Sequence, residues 1–407
     1  MQNIVIEKPY KFRPPHRGNW WPNFIQAFEL YWPYLRRTGG IVSCEVRDEQ
    51  RLATSLEAGH GIMLTPNHAR AGDPIIIGQL AKKVNTHVFA MASWHLFNQD
   101  WFTSFAIHKM GAFSVNREGV DRQAINTAIE ILETGERPLV VFPEGAVSRT
   151  NDRLQAMLDG VAFIARTAAK RRKKRGDTRK VVIHPVAIKY LFQGDLENAV
   201  DDVLSDIEHR LSWQPQEHVS LLNRITKVGR ALLCLKELEY FGREQGGTFV
   251  VRLEGLINRL LGPLEEEWLG ERQTDAVVPR VKNLRMKILP EMVQGTIDEP
   301  ERQRRWKQLA AIYLAQQVSC YPPDYLSTPT VDRLLETIER FEEDLTDKAR
   351  VHGSLHAVMQ VGEAIEVSPQ RDRTAETDPI MDRLDHDLQA MLDGLAQESP
   401  VYQDESA

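Results

Sequence analysis

Apolar and polar positions change period along this chain, and the first half alternates between two rhythms. Gly61-Ile62-Met63-Leu64-Thr65 and Pro138-Leu139-Val140-Val141-Phe142 are short continuous apolar runs, as expected of strands buried in a parallel sheet. Ile41 to Val46 alternates like a strand. Val88 to Ala92, Ala112 to Val115 and Val181 to Ile188 read as further strands. Between them the spacing predicts a short helix through Leu56, then helices over Pro74–Lys83, Trp101–Met110, Arg122–Glu133 and Leu154–Lys170. In the third of these longer helices Ile125, Ile129 and Leu132 share one face. Strands alternating with helices predict an α/β fold, a mostly parallel sheet covered by helices.

Beyond Tyr190 the rhythm changes. From Asp195 to about Leu355 strand signal is sparse and helical periodicity long: Leu221 to Leu238, Val250 to Leu261, Trp306 to Val318, Val331 to Leu345. Gly246-Gly247 and Tyr321-Pro322-Pro323 punctuate it as loops. No internal repeat is read from this stretch. Ala357 to Val367 then returns to a strand-turn-strand pattern, and Met381, Leu384, Leu388, Met391 and Leu392 mark one face of a last helix. A lone hairpin is marginal in water, so Val358 to Val367 needs a sheet to join, and the only sheet on offer lies in the first half. The expected organisation is an aromatic amphipathic segment over 1–40, an α/β domain over 41–194 and a large all-helical insertion over 195–355. The domain is then rejoined over 356–395, and a disordered tail follows over 396–407.

Composition narrows the classes. A chain of 407 residues can bury a large core, and its net charge of −6 offers no basic field for nucleic acid. Nowhere do about eighteen apolar residues run together, so no membrane-crossing helix is expected. The polar N-terminus, rich in proline and arginine from Lys11 to Arg17, does not read as a signal peptide. Cys44, Cys234 and Cys320 are far apart and fit reduced thiols, neither a disulfide frame nor a zinc site. The basic run Lys170 to Arg175 reads as the solvated end of a helix. No glycine-rich nucleotide loop and no metal-ligand spacing is present. His184 lies within a strand, and His352 with His356 could form a helical pair at the surface.

The chemistry concentrates at strand exits. Asn67-His68-Ala69-Arg70-Ala71-Gly72-Asp73 places a histidine and a carboxylate at a strand-to-helix junction, where Asp73 suits an N-cap and Pro74 the first helical position. Asp73 folded back onto one imidazole nitrogen would hold the other as a base facing a hydroxyl, as general-base catalysis requires. Phe142-Pro143-Glu144-Gly145-Ala146-Val147-Ser148-Arg149 supplies a second loop and Gly111 to Arg117 a third. In a parallel sheet such exits share one side and can share a cleft. One base, one carboxylate and two guanidiniums describe a site that moves an acyl group onto an anionic acceptor.

The order Asn-His-x4-Asp, Gly-x5-Arg, Phe-Pro-Glu-Gly and Val-x-Pro-Val (here Val182-Ile183-His184-Pro185-Val186) resembles the glycerolipid acyltransferase family, typified by 1-acylglycerol-3-phosphate acyltransferase. The resemblance implies the family's mostly parallel sheet, with the helical region as an insertion, and direct acyl transfer without an acyl-enzyme. His68 would be the base and Asp73 its orienting partner. Arg117 would hold the acceptor phosphate, while Glu144, Gly145, Ser148 and Arg149 position the acceptor and Asn67, Phe142, Pro143 and Pro185 support the site. The implied donor is acyl-CoA or acyl carrier protein, with no cofactor; the implied acceptor is a lysophospholipid. Two departures bear on the acceptor. Ala146-Val147-Ser148-Arg149 replaces the family's usual Thr-Arg, and Ala90 to Phe97 lacks a lysine often found there. A non-phosphorylated lipid or an amine is therefore an alternative acceptor, and a non-catalytic lipid-binding scaffold an alternative function.

Trp20, Trp21, Phe24, Ile25, Phe28, Tyr31, Trp32 and Tyr34 crowd the N-terminal segment, with Trp21, Phe24, Ile25, Phe28 and Trp32 on one helical face. Such a helix either packs on its own domain or rests at a bilayer interface, and docking beside the acyl-chain entrance would combine both. The expected location is cytoplasmic, peripheral to the inner face of the membrane.

Overall fold

The computed structural model describes residues 7–215, 218–371, 374 and 377–403. The chain forms two compact units, Tyr10–Gln193 with Ser354–Glu398 and a second built on Gly194–Gly353.

The first unit runs α1 (Trp20–Phe28), α2 (Tyr31–Gly39), β1 (Ile41–Arg47), α3 (Glu49–Glu57), β2 (Gly61–Pro66), α4 (Asp73–Lys83), β3 (Phe89–Ser93) and α5 (Trp101–Lys109). It continues with β4 (Ala112–Val115), α6 (Arg122–Thr134), β5 (Leu139–Val140), α7 (Gly160–Lys174) and β6 (Val181–Gln193). The second unit follows as α8 (Leu196–Arg210), α9 (Leu221–Phe241), α10 (Phe249–Leu269), α11 (Val277–Gln294), α12 (Glu299–Val318) and α13 (Val331–Thr346). The chain then returns to the first unit with β7 (Ser354–Val361), β8 (Ile365–Glu366) and α14 (Pro379–Ala396).

The sheet order is β1-β7-β6-β2-β5-β3-β4, with β8 pairing β6. Every neighbouring pair is parallel except β6 with β7 and with β8. β7 and β8 do not pair with each other, as a hairpin would; both run antiparallel to β6 within the sheet laid down by the first half, and the six helices fall, in sequence, between the adjacent strands β6 and β7. Val358, Met359 and Val361 on β7 are buried, as the apolar pattern required.

Met63, Phe89, Phe113, Leu139 and Ile183 from the sheet pack with Ile129 and Leu132 of α6, Ile164 and Ala165 of α7, and Leu384 of α14. Leu388, Leu392 and Leu395 of α14 cover Ala187 and Val358. Contact between α6 and β2 is so close that a Cβ at Gly61 would lie 2.0 Å from the Leu132 carbonyl, so only glycine fits. The β4 edge is capped by the N-terminal arm: Ser114 N–H donates to the Arg13 carbonyl at 3.0 Å and Arg13 N–H to Ser114 Oγ at 2.8 Å. This covering removes an open edge.

Four expectations change. The helix foreseen from Leu154 begins at Gly160, because the preceding loop is spent on hydrogen bonds to the site. The single aromatic face over Trp21 to Trp32 breaks at Glu29, whose φ is 50°, into α1 and α2. Arg172, inside the basic run, is 2 % exposed and donates to the Leu132, Glu133 and Lys180 carbonyls, tying α7 to α6 and the start of β6. His352 and His356 share no helix: the first meets Glu342 at 2.6 Å, the second Ser43 Oγ at 2.7 Å from within β7.

The helical unit also carries an internal repeat that periodicity did not disclose. A buried glutamate near the end of one helix meets an arginine in the first turns of the next. The pairs are Glu208 with Arg224, Glu237 with Arg252 and Glu265 with Arg280; Glu291 with Arg305 repeats the placement with an exposed glutamate. The second and third share Glu-x-Glu, an aromatic residue, an apolar residue, glycine and then glutamine, and both arginines lie 15 residues after their glutamates. Gly242 and Gly270 close the helices in left-handed conformation, and each glutamate also accepts the N–H of the glutamine in the turn, Gln245 or Gln273. Each ion pair therefore clips a helix-turn-helix from within. In the same unit Val401, in the stretch expected to be a disordered tail, pairs with Thr330; residues 404–407 lie outside the described residues.

Candidate active site

The apolar run of β2 ends at Pro66, and the chain turns at once into the His68 loop. Asn67 fixes that turn. Its amide donates to the Ile188 carbonyl at 3.0 Å and accepts from Ile188 N–H at 2.7 Å, so one side chain extends the β2–β6 ladder past Val186. Asn151 repeats the device on Tyr190, at 2.5 and 2.7 Å. Both amides are buried, where an unpaired polar group would cost about 1–3 kcal/mol.

Asp73 is fully buried at the first residue of α4 and does not cap the helix: no side-chain cap bond forms, and Gly72 occupies the N-cap position. Its carboxylate turns back on the loop instead. Oδ2 lies 2.9 Å from His68 Nδ1 and accepts Arg70 N–H at 2.9 Å, while Oδ1 accepts the Tyr190 hydroxyl at 2.5 Å. With Nδ1–H donating to Asp73, Nε2 is left with its lone pair, and the side chain is 16 % exposed. The Phe142 ring stacks on the imidazole, centroids 4.1 Å apart, and fixes its plane.

Glu144 was expected at the acceptor but is 1 % exposed, with both oxygens committed: Oε1 accepts His68 N–H at 2.7 Å and Oε2 accepts Gln155 N–H at 2.9 Å. Burial pushes its carboxyl up to about 7, against the pull of the two N–H donors. Ser148 is equally occupied, its N–H and hydroxyl both donating to the His68 carbonyl at 2.7 and 3.1 Å. Glu144 and Ser148 thus hold the His68 backbone on both sides of its Cα, at the N–H and at the carbonyl. Gly145 turns the chain between them at φ 69°, a conformation that favours glycine. Pro143 accepts Leu158 N–H at 2.9 Å, and Pro185 pairs with Thr65 and accepts Gly362 N–H at 2.7 Å.

Arg149 adopts φ 59°, an uncommon left-handed conformation beside the site. Arg117 sits just past β4, three strands from β2 in the order β2-β5-β3-β4, about 14 Å at ~4.8 Å per strand. The structure therefore joins His68, Asp73, Phe142, Glu144 and Ser148 directly and sets Arg117 apart. His184, inside the fourth sequence block, is fully buried between Ser55 Oγ at 2.9 Å and the Gly362 carbonyl at 3.0 Å, a structural histidine.

Residues 43–189 match the acyltransferase family model. The matched acyltransferase segment contains the His68 loop, the Glu144 loop and Arg117, and it supports acyl transfer as the reaction class. No curated protein matches the chain. Tyr190 and Asn151 were missed in sequence. Asn151 lies between the Phe142–Arg149 motif and the helix expected from Leu154, and Tyr190 on a strand that runs five residues beyond its expected end at Ile188.

Proposed function

We propose that this protein transfers a fatty acyl group from acyl-CoA or acyl carrier protein to the hydroxyl of a lysoglycerophospholipid such as 1-acylglycerol-3-phosphate. The observation that carries the reading is the His68–Asp73 contact at 2.9 Å, inside the segment that matches the acyltransferase family. His68 Nε2 takes the acceptor's hydroxyl proton as that oxygen attacks the thioester carbonyl. The carbon–sulfur bond breaks, the thiolate departs and the proton passes from the imidazolium to sulfur. Asp73 holds the ring and stabilises its transient positive charge. Arg117 and Arg149 are the cations assigned to the acceptor phosphate. An acceptor spanning from His68 to the β4 exit suits a phosphorylated glycerol carrying an acyl chain better than a small alcohol.

Lipid acceptors reside in membranes, and the protein's exposed aromatic face suits contact with the inner leaflet. Trp20, Phe28, Trp101 and Phe102 are 72 %, 66 %, 77 % and 63 % exposed, and rings from α1 and α5 form one ladder through Trp21 and Phe105 at 5.2 Å. No helix among the described residues is long and apolar enough to cross a membrane. The test is purified protein with labelled acyl-CoA or acyl carrier protein and a panel of lysolipids. Product on phosphorylated lysolipids, absent with their dephosphorylated counterparts, is expected. Transfer to neutral lipids or amines alone would replace the acceptor class, and no transfer to any would replace the function.

A further inference from the structure

Tyr190 lies one residue past the matched segment and outside every motif in the sequence, yet its side chain reaches the centre of the site. Its ring is 1 % exposed, its backbone is clamped by the Asn151 amide, and its hydroxyl ends 2.5 Å from Asp73 Oδ1. That oxygen is the one His68 does not use. A fully buried carboxylate facing an imidazole with one oxygen and a phenol with the other is divided between two partners, and whatever charge one draws is withheld from the other.

We propose that Tyr190 is a positioning residue that acts on His68 through Asp73, locking the carboxylate's rotation and setting how strongly it supports the imidazolium. The inference rests on His68 being the base of the proposed transfer. Burial and the Asp73 charge keep the phenol protonated, its pKa well above the ordinary tyrosine value, so it remains a donor wherever the enzyme works. The other groups facing this cluster are few. The Arg70 guanidinium lies 5.6 Å from the Tyr190 ring centre, Arg70 N–H binds Asp73, Glu144 holds His68 N–H, and the Cys44 thiol contributes electrostatically at Tyr190. None of these supplies a second hydroxyl to Oδ1.

The direction of the effect follows. Tyr190→Phe leaves Asp73 Oδ1 without its hydroxyl donor and returns negative charge toward His68, so the imidazolium is better stabilised. Hydrogen bonds to charged groups are worth about one to two pH units, of which roughly half a unit should reach the ring. The His68 titration, read by imidazole nitrogen NMR in the full chain, should move up by that amount, and the acid limb of the kcat/KM profile with it. At the pH optimum kcat should fall by roughly tenfold while both KM values hold, since orientation is lost and binding is not. Replacing Tyr190 with 3-fluorotyrosine keeps the shape and strengthens the donor, and the titration should then move down. The fluorinated chain carries the test alone if Tyr190→Phe does not fold. A His68 titration that stays put in the folded variants overturns the inference whatever the rates do. Shifted titrations in a protein that transfers no acyl group would leave the inference standing and remove the proposed function. Intact transfer with unmoved titrations would do the reverse.

Discussion

At the scale of the residue, the hydrogen-bond partners decide what each side chain can do. His68 keeps one nitrogen for the proposed chemistry because Asp73 takes the other, whereas Glu144 keeps nothing: two backbone N–H groups use both oxygens. Glu144 therefore affects stability with a definite pH sign. Its carboxyl is raised from 4.5 to about 7 by burial, so the cost of ionising it is absent below about pH 4.5 and complete above pH 7. Glu144→Gln removes that slope and leaves one N–H without an acceptor, costing about 1–3 kcal/mol at every pH. Denaturant unfolding should show the variant clearly less stable at pH 5 and the gap narrowing by pH 7.5; a constant gap would contradict the buried, raised carboxyl. Arg117→Ala should raise the acceptor KM well above tenfold, given about 1.5–3 kcal/mol for a charge-assisted contact, and leave that of the acyl donor unchanged. Equal effects on both substrates would take Arg117 away from the acceptor. The His68–Asp73 contact was legible in the sequence because both residues lie within one loop. Tyr190 was not, since its contact with Asp73 spans 117 residues and carries no local signal.

At the scale of elements, strands were read more securely than the loops that carry function. Apolar runs disclosed β2, β4 and the start of β6 to within a residue, because burial on both faces leaves little choice of side chain. The start of α7 was misplaced because Leu154 to Asp159 have helical composition but spend backbone N–H groups elsewhere, Leu154 on Gln389, Gln155 on Glu144 and Leu158 on the Pro143 carbonyl. The repeat of α9 and α10 escaped because it is written in charged positions, which look like solvated faces until their burial is known. It leads to a sharp expectation. Glu265→Ala strands Arg280, whose side chain is 8 % exposed, and should destabilise the helical unit by about 3–5 kcal/mol in urea unfolding. Replacing both partners by apolar residues of similar volume should recover most of that loss. A double variant as unstable as the sum of the two singles would show that the pair is not acting as a clip.

At the scale of the whole molecule, the sheet brings three separate loops to one side, and the exposed aromatic rings of α1 and α5 form the face proposed to meet lipid. Each exposed ring can bury on the order of 100 Å² in a bilayer, worth about 2–3 kcal/mol at ~25 cal/mol per Å². Trp20→Ser with Trp101→Ser should lower liposome partitioning by well over tenfold while circular dichroism stays unchanged. Undiminished partitioning would make that face structural. The central claim is narrower: His68 is the base of an acyl transfer. The measurement that meets it directly is acyl-transfer turnover of His68→Ala against the unmodified protein, with labelled acyl-CoA and 1-acylglycerol-3-phosphate and with folding verified. The account expects a loss of roughly 10²–10⁴-fold, with the protein still folded. Turnover near that of the unmodified protein would contradict it.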